Sequence, residues 1–369
     1  RLGDVATYIN GFAFAPDDWS ENGLPIIRIQ DLTGNSYQMN RYAGEYNPKY
    51  EVNRGDVLIS WSASLGVYVW QGEKALLNQH IFKVIFDKCD VDKSFYVHQV
   101  AAILEKAASQ AHGATMKHLT KPVFDALPFY LPDLPTQQRI ADTLDKVSEG
   151  IGLCRKMLGE LDLMVKAKFG EMFGDPVSNE REWNVETLND VCTEIGDGLH
   201  GTPEYDDNGE YPFINGNNLI NGAIEITPAT KKVNAEIYKK HYIDISANAL
   251  LLSINGTLGK LAFYNGEKVM LGKSACYCNF KPEINRAFVY GVMKTEAFAG
   301  FLEKSATAST IKNVGLKAIR GYKLIMPPQA LQMQFIEFSN QVDKSKLAVK
   351  QSLEKLETLK KSLMQEYLG

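Results

Sequence analysis

Hydrophobic positions along this chain change their period twice. From Arg1 to about residue 134 they come in short runs punctuated by Gly, Asn and Pro: Pro25-Ile26-Ile27-Arg28-Ile29, Val57-Leu58-Ile59-Ser60 and His80-Ile81-Phe82-Lys83-Val84-Ile85-Phe86. Such runs predict strands. Ser94 to Ser109 predicts a helix, with Phe95, Val97, Val100, Ile103 and Leu104 on one side. Pro128, Pro132 and Pro135 close the segment and point into a helix start at Thr136. From there to Phe173 the apolar residues fall at Ile140, Leu144, Val147, Ile151, Cys154, Leu158, Leu161 and Val165, in alternating steps of four and three. That is a heptad seam.

The same order then repeats. Asp175-Pro176-Val177-Ser178-Asn179 breaks the helix. Strand-like runs return over residues 183 to about 328, at Tyr211-Pro212-Phe213-Ile214, Leu250-Leu251-Leu252-Ser253 and Cys278-Asn279-Phe280. A second heptad stretch spans Leu331 to Leu368 through Phe335, Val342, Val349, Leu353, Leu356, Leu363 and Tyr367, interrupted by Lys346 and Lys360. Shifted by about 195 residues, Ala114-Thr115-Met116-Lys117 falls on Ser309-Thr310-Ile311-Lys312, and Leu131-Pro132 on Met326-Pro327. Phe169 to Gly174 likewise falls on Met364 to Gly369. A period this long is a duplicated domain plus connector, not a solenoid repeat of about 20 to 50 residues. The match is tightest in the last third of each half, which implies a shared frame carrying two variable surfaces.

A long helix apolar along one stripe must bury it. Gly150, Gly152 and Gly159 each weaken the first helix by roughly 1 kcal/mol relative to Ala, so a partner has to hold it. Each copy is the obvious partner for the other. The expected fold is α+β: two pseudo-repeated, strand-rich α/β domains at 1–134 and 175–328, joined by two long antiparallel coiled-coil helices at 135–174 and 329–369. The seam comprises Ile140, Leu144, Val147, Ile151, Leu158 and Leu161 against Val342, Val349, Leu353, Leu356 and Leu363. Antiparallel pairing predicts a dumbbell with a pseudo-two-fold axis, as in a dimer fused into one chain. Its helices would span about 57 Å at about 1.5 Å per residue.

Composition narrows the function class. At 369 residues, 45% hydrophobic and 23% charged, this is an ordinary globular composition for two to three domains. No apolar run approaches the roughly 18 to 20 residues of a membrane span, and no charged-then-apolar leader is seen. Cys89, Cys154, Cys192, Cys276 and Cys278 lack zinc spacing and read as reduced thiols. The net charge of -4 argues only mildly against nucleic acid, because the acids cluster on the helices (Glu149, Glu160, Asp162, Glu354, Glu357) while Lys312, Lys317, Arg320 and Lys323 gather before Met326. Enzyme signatures are missing: no Asn/Asp-Pro-Pro-aromatic motif, no nucleophile elbow, no His-Glu-x-x-His and no dinucleotide fingerprint. Gly266 to Ser274 misses a phosphate loop, with five residues instead of four between its glycines.

The polar loops carry the candidate chemistry. Ser60, Ser62 and Ser64 follow one apolar strand, and Ser253, Asn255, Thr257 and Lys260 follow its repeat. Small hydroxyl and amide side chains on Gly-hinged loops suit close approach to a sugar-phosphate backbone. Arg28 and Gln30 occupy the place of Asn215, Asn217 and Asn218, and these are side chains that pair with purine edges. Asx turns capping strands are the competing reading. Asn78, Gln79 and His80 match Lys273 and Ser274 at the end of another repeat strand. Thr115 and Lys117, near Lys121, match Thr310 and Lys312, a hydroxyl-plus-lysine phosphate clamp or else an N-cap beside a solvated lysine. His200 and Thr202 lie on a polar loop; since none of the six histidines has ligand spacing, His200 reads as a lone polar loop residue rather than a metal or catalytic group, and in a recognition module it could read a base or phosphate.

These features together resemble a known family. Two variable domains, each followed by a heptad helix, are similar to the specificity (S) subunits of type I restriction-modification systems. So are Leu2-Gly3-Asp4-Val5, Gly55-Asp56-Val57-Leu58-Ile59-Ser60, the Leu134-Pro135-Thr136-Gln137-Gln138-Arg139-Ile140 run, and Asp197-Gly198-Leu199-His200-Gly201-Thr202-Pro203 with Tyr211-Pro212-Phe213-Ile214. The second helix run departs from the pattern, lacking a counterpart of Arg139, and little precedes the first domain. The resemblance implies two target-recognition domains that read a split double-stranded DNA site, with the helices spacing them. It implies two methyltransferase (M) subunits carrying S-adenosylmethionine and motor-nuclease (R) subunits using ATP and Mg. No cofactor or metal is expected on this chain, and its expected place is the cytoplasm of a bacterium or archaeon, without a membrane partner. The alternative is the recognition subunit of a bifunctional, type IIB-like restriction-methylation enzyme.

Overall fold

The computed structural model describes residues 1–35, 38–110 and 119–368. They form two compact units, Arg1–Met157 with Val349–Gly369, and Leu158–Ala348. Each unit combines a strand-rich region with one segment of each of two continuous helices, Leu134–Phe173 and Gln329–Leu368.

In the first unit, strands Thr7–Asn10, Ile81–Ile85, Val57–Ser60 and Gly66–Val69 form an antiparallel sheet in that spatial order. Val57–Ser60 is buried at every position because the sheet is covered on both faces. Side chains alternate along a strand. Val57 and Ile59 therefore pack with Tyr96 and Val100 of helix Lys93–Gln110, while Leu58 packs the other way against Ile27, Val52 and Leu77 of a small mixed sheet. That sheet runs Arg41–Tyr42, Leu24–Ile27, Ala75–Leu77, Glu51–Val52, its two middle strands parallel.

The second unit repeats the plan. Cys192–Asp197, Ala275–Phe280, Ala249–Ser253 and Leu261–Phe263 form the antiparallel sheet. Leu250 and Leu252 face Phe288 and Phe298 of the helical layer, and Leu251 faces Ile214 and Leu271. A continuous apolar run with no polar face is thus the mark of a strand between two layers. Leu2–Val5 and Leu188–Val191 are matching one-turn helices that plug the two cores with Leu2 and Val5, or Leu188 and Val191. Gly11 and Gly198 stand at one further matched position. A Cβ there would lie 2.0 Å from the carbonyl oxygen of Asn78 or 2.1 Å from that of Leu271, so the crossing of two chain segments excludes any side chain.

The heptad stripes are buried as expected in antiparallel fashion within each unit. In the first, Ile140 and Leu144 share a core with Phe95 and, from the far end of the second helix, Leu363, Met364 and Tyr367. Higher up the first helix Gly150 faces Leu356, and Arg155 Nη2 meets Glu357 Oε1 at 2.8 Å. In the second unit Asp162 Oδ1 meets Lys346 Nζ at 2.6 Å, and Phe169 and Phe173 reach Phe335 at 5.4 and 5.6 Å between ring centroids. Numbers rise along one helix as they fall along the other. Ile140, Leu144, Val147, Ile151 and Val342 are buried, whereas Leu158, Leu161, Val349, Leu353, Leu356 and Leu363 are half-buried. Lys346, which breaks the apolar pattern, is answered by Asp162 opposite and Asp343 one turn away.

Two buried glutamines, Gln137 and Gln332, account for part of the run that repeats at each helix start. Gln137 Nε2 donates to the Pro132 carbonyl and its Oε1 accepts from Asp92 N, at 2.7 and 2.8 Å. Gln332 Nε2 donates to the Pro327 carbonyl at 2.8 Å. Each glutamine hooks its helix onto the proline-containing segment that precedes it. Asp133 caps the first helix, and its bonds to Thr136 hold its carboxyl below the usual range. Ser94 and His98 both reach Asp145 at 2.6 Å, tying helix Lys93–Gln110 to the long helix.

Two stability tests follow from this packing. Gly152 and Gly159 sit in mid-helix with nothing within 4 Å of an added Cβ. Gly152→Ala and Gly159→Ala should therefore each raise stability by about 0.5–1 kcal/mol, read as a higher urea midpoint. Phe335→Ala should cost about 3–5 kcal/mol in the same measurement, because it hollows the aromatic cluster of the second unit.

Candidate nucleic-acid interface

Closing the Ala249–Ser253 strand requires a turn, and that turn builds the main site of the second unit. Ser253 Oγ donates to the Thr257 carbonyl at 2.7 Å and accepts from Lys260 N at 2.8 Å, so the turn is pinned from inside. Two neighbouring segments are laced to it. Gly256 N donates to the Lys312 carbonyl and Val314 N to the Ile254 carbonyl, both at 2.9 Å, which brings the loop carrying Thr310 and Lys312 alongside. Asn255 Nδ2 bonds Asn313 Oδ1 at 3.3 Å across the same seam. From the other side, Ser274 Oγ donates to Asn215 Oδ1 at 2.8 Å and accepts from Gly216 N at 2.9 Å.

The result is a cleft of about 790 Å³ lined by Asn215, Asn217, Asn255, Thr257, Ser274, Thr310 and Lys312, along with Glu303. Seven sequence-predicted residues, drawn from four separate segments, thus meet in one place. Amides and hydroxyls dominate the wall, with one cation and one carboxylate. Lys312 Nζ is ion-paired to Glu303, both about half exposed. Nothing in the sequence pattern flagged Glu303, which comes from helix Glu296–Ser305 and reaches the cleft only through tertiary packing.

Other candidates are placed differently. Ser60 and Ser253 are fully buried and spend their hydroxyls on their own turns, Ser60 donating to the Ser64 carbonyl, so the expectation that they contact a ligand is corrected. The competing turn reading holds for Asn218, whose Oδ1 accepts from Asn215 N and whose Nδ2 donates to the Glu225 carbonyl. Lys260 and Lys273 flank the cleft rather than line it, and Lys273 N donates to the Leu199 carbonyl at 3.0 Å. His200 is exposed, 2.8 Å from Asp197 Oδ2, and Thr202 is exposed on the same loop.

In the first unit Ser62 is half-buried and Ser64 exposed at the matching turn. His80, at a left-handed φ of 72°, sits edge-on to Trp61 with ring centroids 5.0 Å apart. Asn78 Oδ1 is buried without a hydrogen-bond partner among the described residues, while Gln79 N donates to the Phe12 carbonyl at 2.8 Å. Arg28 donates to Gln30 Oε1 at 2.9 Å and lies 5.4 Å from the Trp19 ring. Lys121 is held by Asp125 at 2.6 Å. Thr115 and Lys117 lie outside the described residues.

No cluster of three or more His, Cys, Asp or Glu able to hold a metal occurs among the described residues. Cys192 and Cys276 are buried near Cys278, and thiol–thiol hydrogen bonding followed by burial holds both well above the ordinary thiol range. No helix among the described residues is long and apolar enough to cross a membrane. Gly266 to Ser274 forms a loop and a two-residue strand, Met270–Leu271, that delivers Ser274 to Asn215.

Known proteins share the sequence pattern and the fold of this chain. The EcoBI type I restriction enzyme specificity subunit of Escherichia coli is 21% identical over 401 residues, covering 98% of this chain and 83% of that protein. The MjaVIII specificity subunit of Methanocaldococcus jannaschii is 25% identical over 174 residues, covering 47% of this chain and 40% of that protein. A type I S subunit from M. genitalium shares the fold at a TM-score of 0.55 and 14% identity, over 100% of this chain and 95% of the other. A chain from a structure on complex assembly and conformational transition of the type I R-M system does so at 0.57 and 16%, over 100% and 96%. The family model for the type I restriction modification DNA specificity domain matches residues 1–162 and again 180–359, once for each repeat. The chain accordingly belongs to the type I restriction-modification DNA specificity family.

Proposed function

We propose that this DNA-recognition subunit of a type I restriction-modification system reads a bipartite target, one half-site with each unit. The cleft of the second unit carries the reading: amides and hydroxyls for base edges and one lysine for a phosphate, held on turns that are internally pinned. Asn215 and Asn217 are the base readers there, in keeping with the amide side chains that pair with adenine edges. In the first unit Arg28, Gln30, Gln79 and His80 take that part. The bifunctional alternative is not favoured, since the matched domain family and the named relatives are of the type I kind.

The remaining assembly is the one the family resemblance implies. It supplies recognition; methyl transfer and cleavage come from partners, methyltransferase subunits with S-adenosylmethionine and motor-nuclease subunits with ATP and Mg. Neither cofactor binds this chain. Its own residues position the DNA, exclude wrong bases and fix phosphates. Within the cleft, Glu303 holds the phosphate lysine until DNA displaces it.

Lys312→Ala should weaken binding to every DNA sequence and flatten the log-log salt dependence by about one unit. Glu303→Gln should do the reverse, raising affinity several-fold at low salt by freeing Lys312. Both are read by fluorescence anisotropy at several salt concentrations, and unchanged slopes in both would reject the clamp. Asn217→Ala should leave the slope alone and relax discrimination at one position of one half-site, by about 1–3 kcal/mol, in a competition assay. Calorimetry of the isolated chain should detect no micromolar S-adenosylmethionine binding; if it does, the division of labour is wrong.

A further inference from the structure

A second hollow, in the first unit, has no part in the reading described so far. It measures about 420 Å³ and is walled by five aromatic rings, Phe12, Phe14, Tyr42, Tyr46 and Tyr50, with Glu45 and Asn47 on its rim. The rings are fixed against one another: Phe12 meets Phe14 at 4.9 Å and Tyr50 at 5.6 Å, and Phe14 meets Tyr42 at 5.1 Å. Local bonds fix them too. Tyr46 OH donates to Glu51 Oε1 at 3.0 Å, Tyr42 OH donates to the Glu45 carbonyl at 3.0 Å, and Asn47 caps the turn Pro48–Tyr50. Yet Phe12 remains 43% exposed and the other four rings only half-buried. Aromatic surface held rigid and wet is the mark of a binding surface rather than of a core.

Its position says what it meets. Phe12 N donates to the Leu77 carbonyl and Phe12 O accepts from Gln79 N, so the hollow begins one hydrogen bond away from the reading loop Asn78–His80. At the matching place of the second unit, Leu199 accepts from Lys273 N in the same way, with an aliphatic side chain where Phe12 has a ring. Lys49 Nζ lies 4.8 Å from the Tyr50 ring, a cation beside the aromatic wall that suits a phosphate and disfavours a cationic ligand. The rim offers a carboxylate acceptor, Glu45, and the amide of Asn47 as a donor. A carboxylate acceptor suits the exocyclic amine that adenine, cytosine and guanine carry and thymine lacks.

Building on the DNA-reading assignment, we propose that this aromatic hollow holds one unstacked, amino-bearing nucleobase of the DNA bound to the first unit. The rings stack on it, Glu45 accepts from its exocyclic amine and Lys49 meets its phosphate. Base-aromatic stacking tolerates several bases, so the preference for an amine rests on the rim.

The test uses the full chain and short single-stranded oligonucleotides of dA, dC or dT, with binding followed by anisotropy. Oligo-dA and oligo-dC should bind more tightly than oligo-dT. Phe12→Leu and Phe14→Leu, which keep apolar volume but remove the ring, should each weaken dA binding about tenfold. Glu45→Gln should erase the preference over dT while thermal unfolding stays as in the parent. Double-stranded DNA of mixed sequence, measured in parallel, separates the two ideas. If duplex binds with a steep salt dependence but both leucine variants keep full affinity for oligo-dA, the hollow is not a base site and the DNA reading stands. If the wild-type chain binds no duplex, the DNA reading itself fails. Ring-dependent binding of tetramethylammonium in place of the oligonucleotides would identify a cation cage and overturn the proposal.

Discussion

Everything in this protein depends on burying two apolar stripes that neither long helix can bury alone. A heptad seam exposed to water costs roughly 25 cal/mol for each Å² left uncovered. The first helix, with Gly150, Gly152 and Gly159 in its middle, has too little intrinsic helicity to stand by itself. The remedy differs along its length. Near its start, Ile140 and Leu144 meet Leu363 and Tyr367 over Phe95; near its end, Phe169 and Phe173 meet Phe335 over Phe288. Away from these aromatic anchors the seam of each unit is thinner, with half-buried leucines and a cross-helix ion pair, Arg155–Glu357 in the first and Asp162–Lys346 in the second. Exposed ion pairs contribute little stability, so their value there is register.

The candidate recognition surfaces inherit their rigidity from those anchored frames. A loop proposed to read bases must not rearrange, yet loops have few apolar contacts to hold them. Here the hydroxyls of Ser60 and Ser253 turn inward, each closing its hairpin from the buried side. Fixed turns then leave Thr257, Asn255 and their neighbours free to differ between copies without endangering the sheet beneath. The frame repeats; the surface varies.

Much of the fold was legible in the sequence because it rests on periodicity. Alternating steps of four and three announced the helices, and unbroken apolar runs such as Val57-Leu58-Ile59-Ser60 announced strands covered on both faces. Proximity through tertiary packing was harder to read. Asn215, Asn255, Ser274 and Lys312 share a cleft although their polar loops are far apart in sequence, and only the duplication hinted at it. Glu303 gave no signal at all, being one more acid on an amphipathic helix. The aromatic hollow had a faint one, in the Phe12-x-Phe14 pair and the spacing of Tyr42, Tyr46 and Tyr50 by four. Ser60 and Ser253 misled for a physical reason: whether a hydroxyl points inward depends on turn closure, which composition does not encode.

The make-up of the two units has a consequence for how the chain is born. The second unit is one unbroken stretch, Leu158–Ala348, and has all its parts once that stretch has left the ribosome. The first unit starts earlier but needs Val349–Gly369, which is synthesised after the whole of the second unit, to cover Ile140, Leu144 and Phe95. Domains ordinarily fold in the order of synthesis, the N-terminal one first. Of these two units the one that emerges first is completed second, and its apolar helix stripe waits uncovered while the other unit is made.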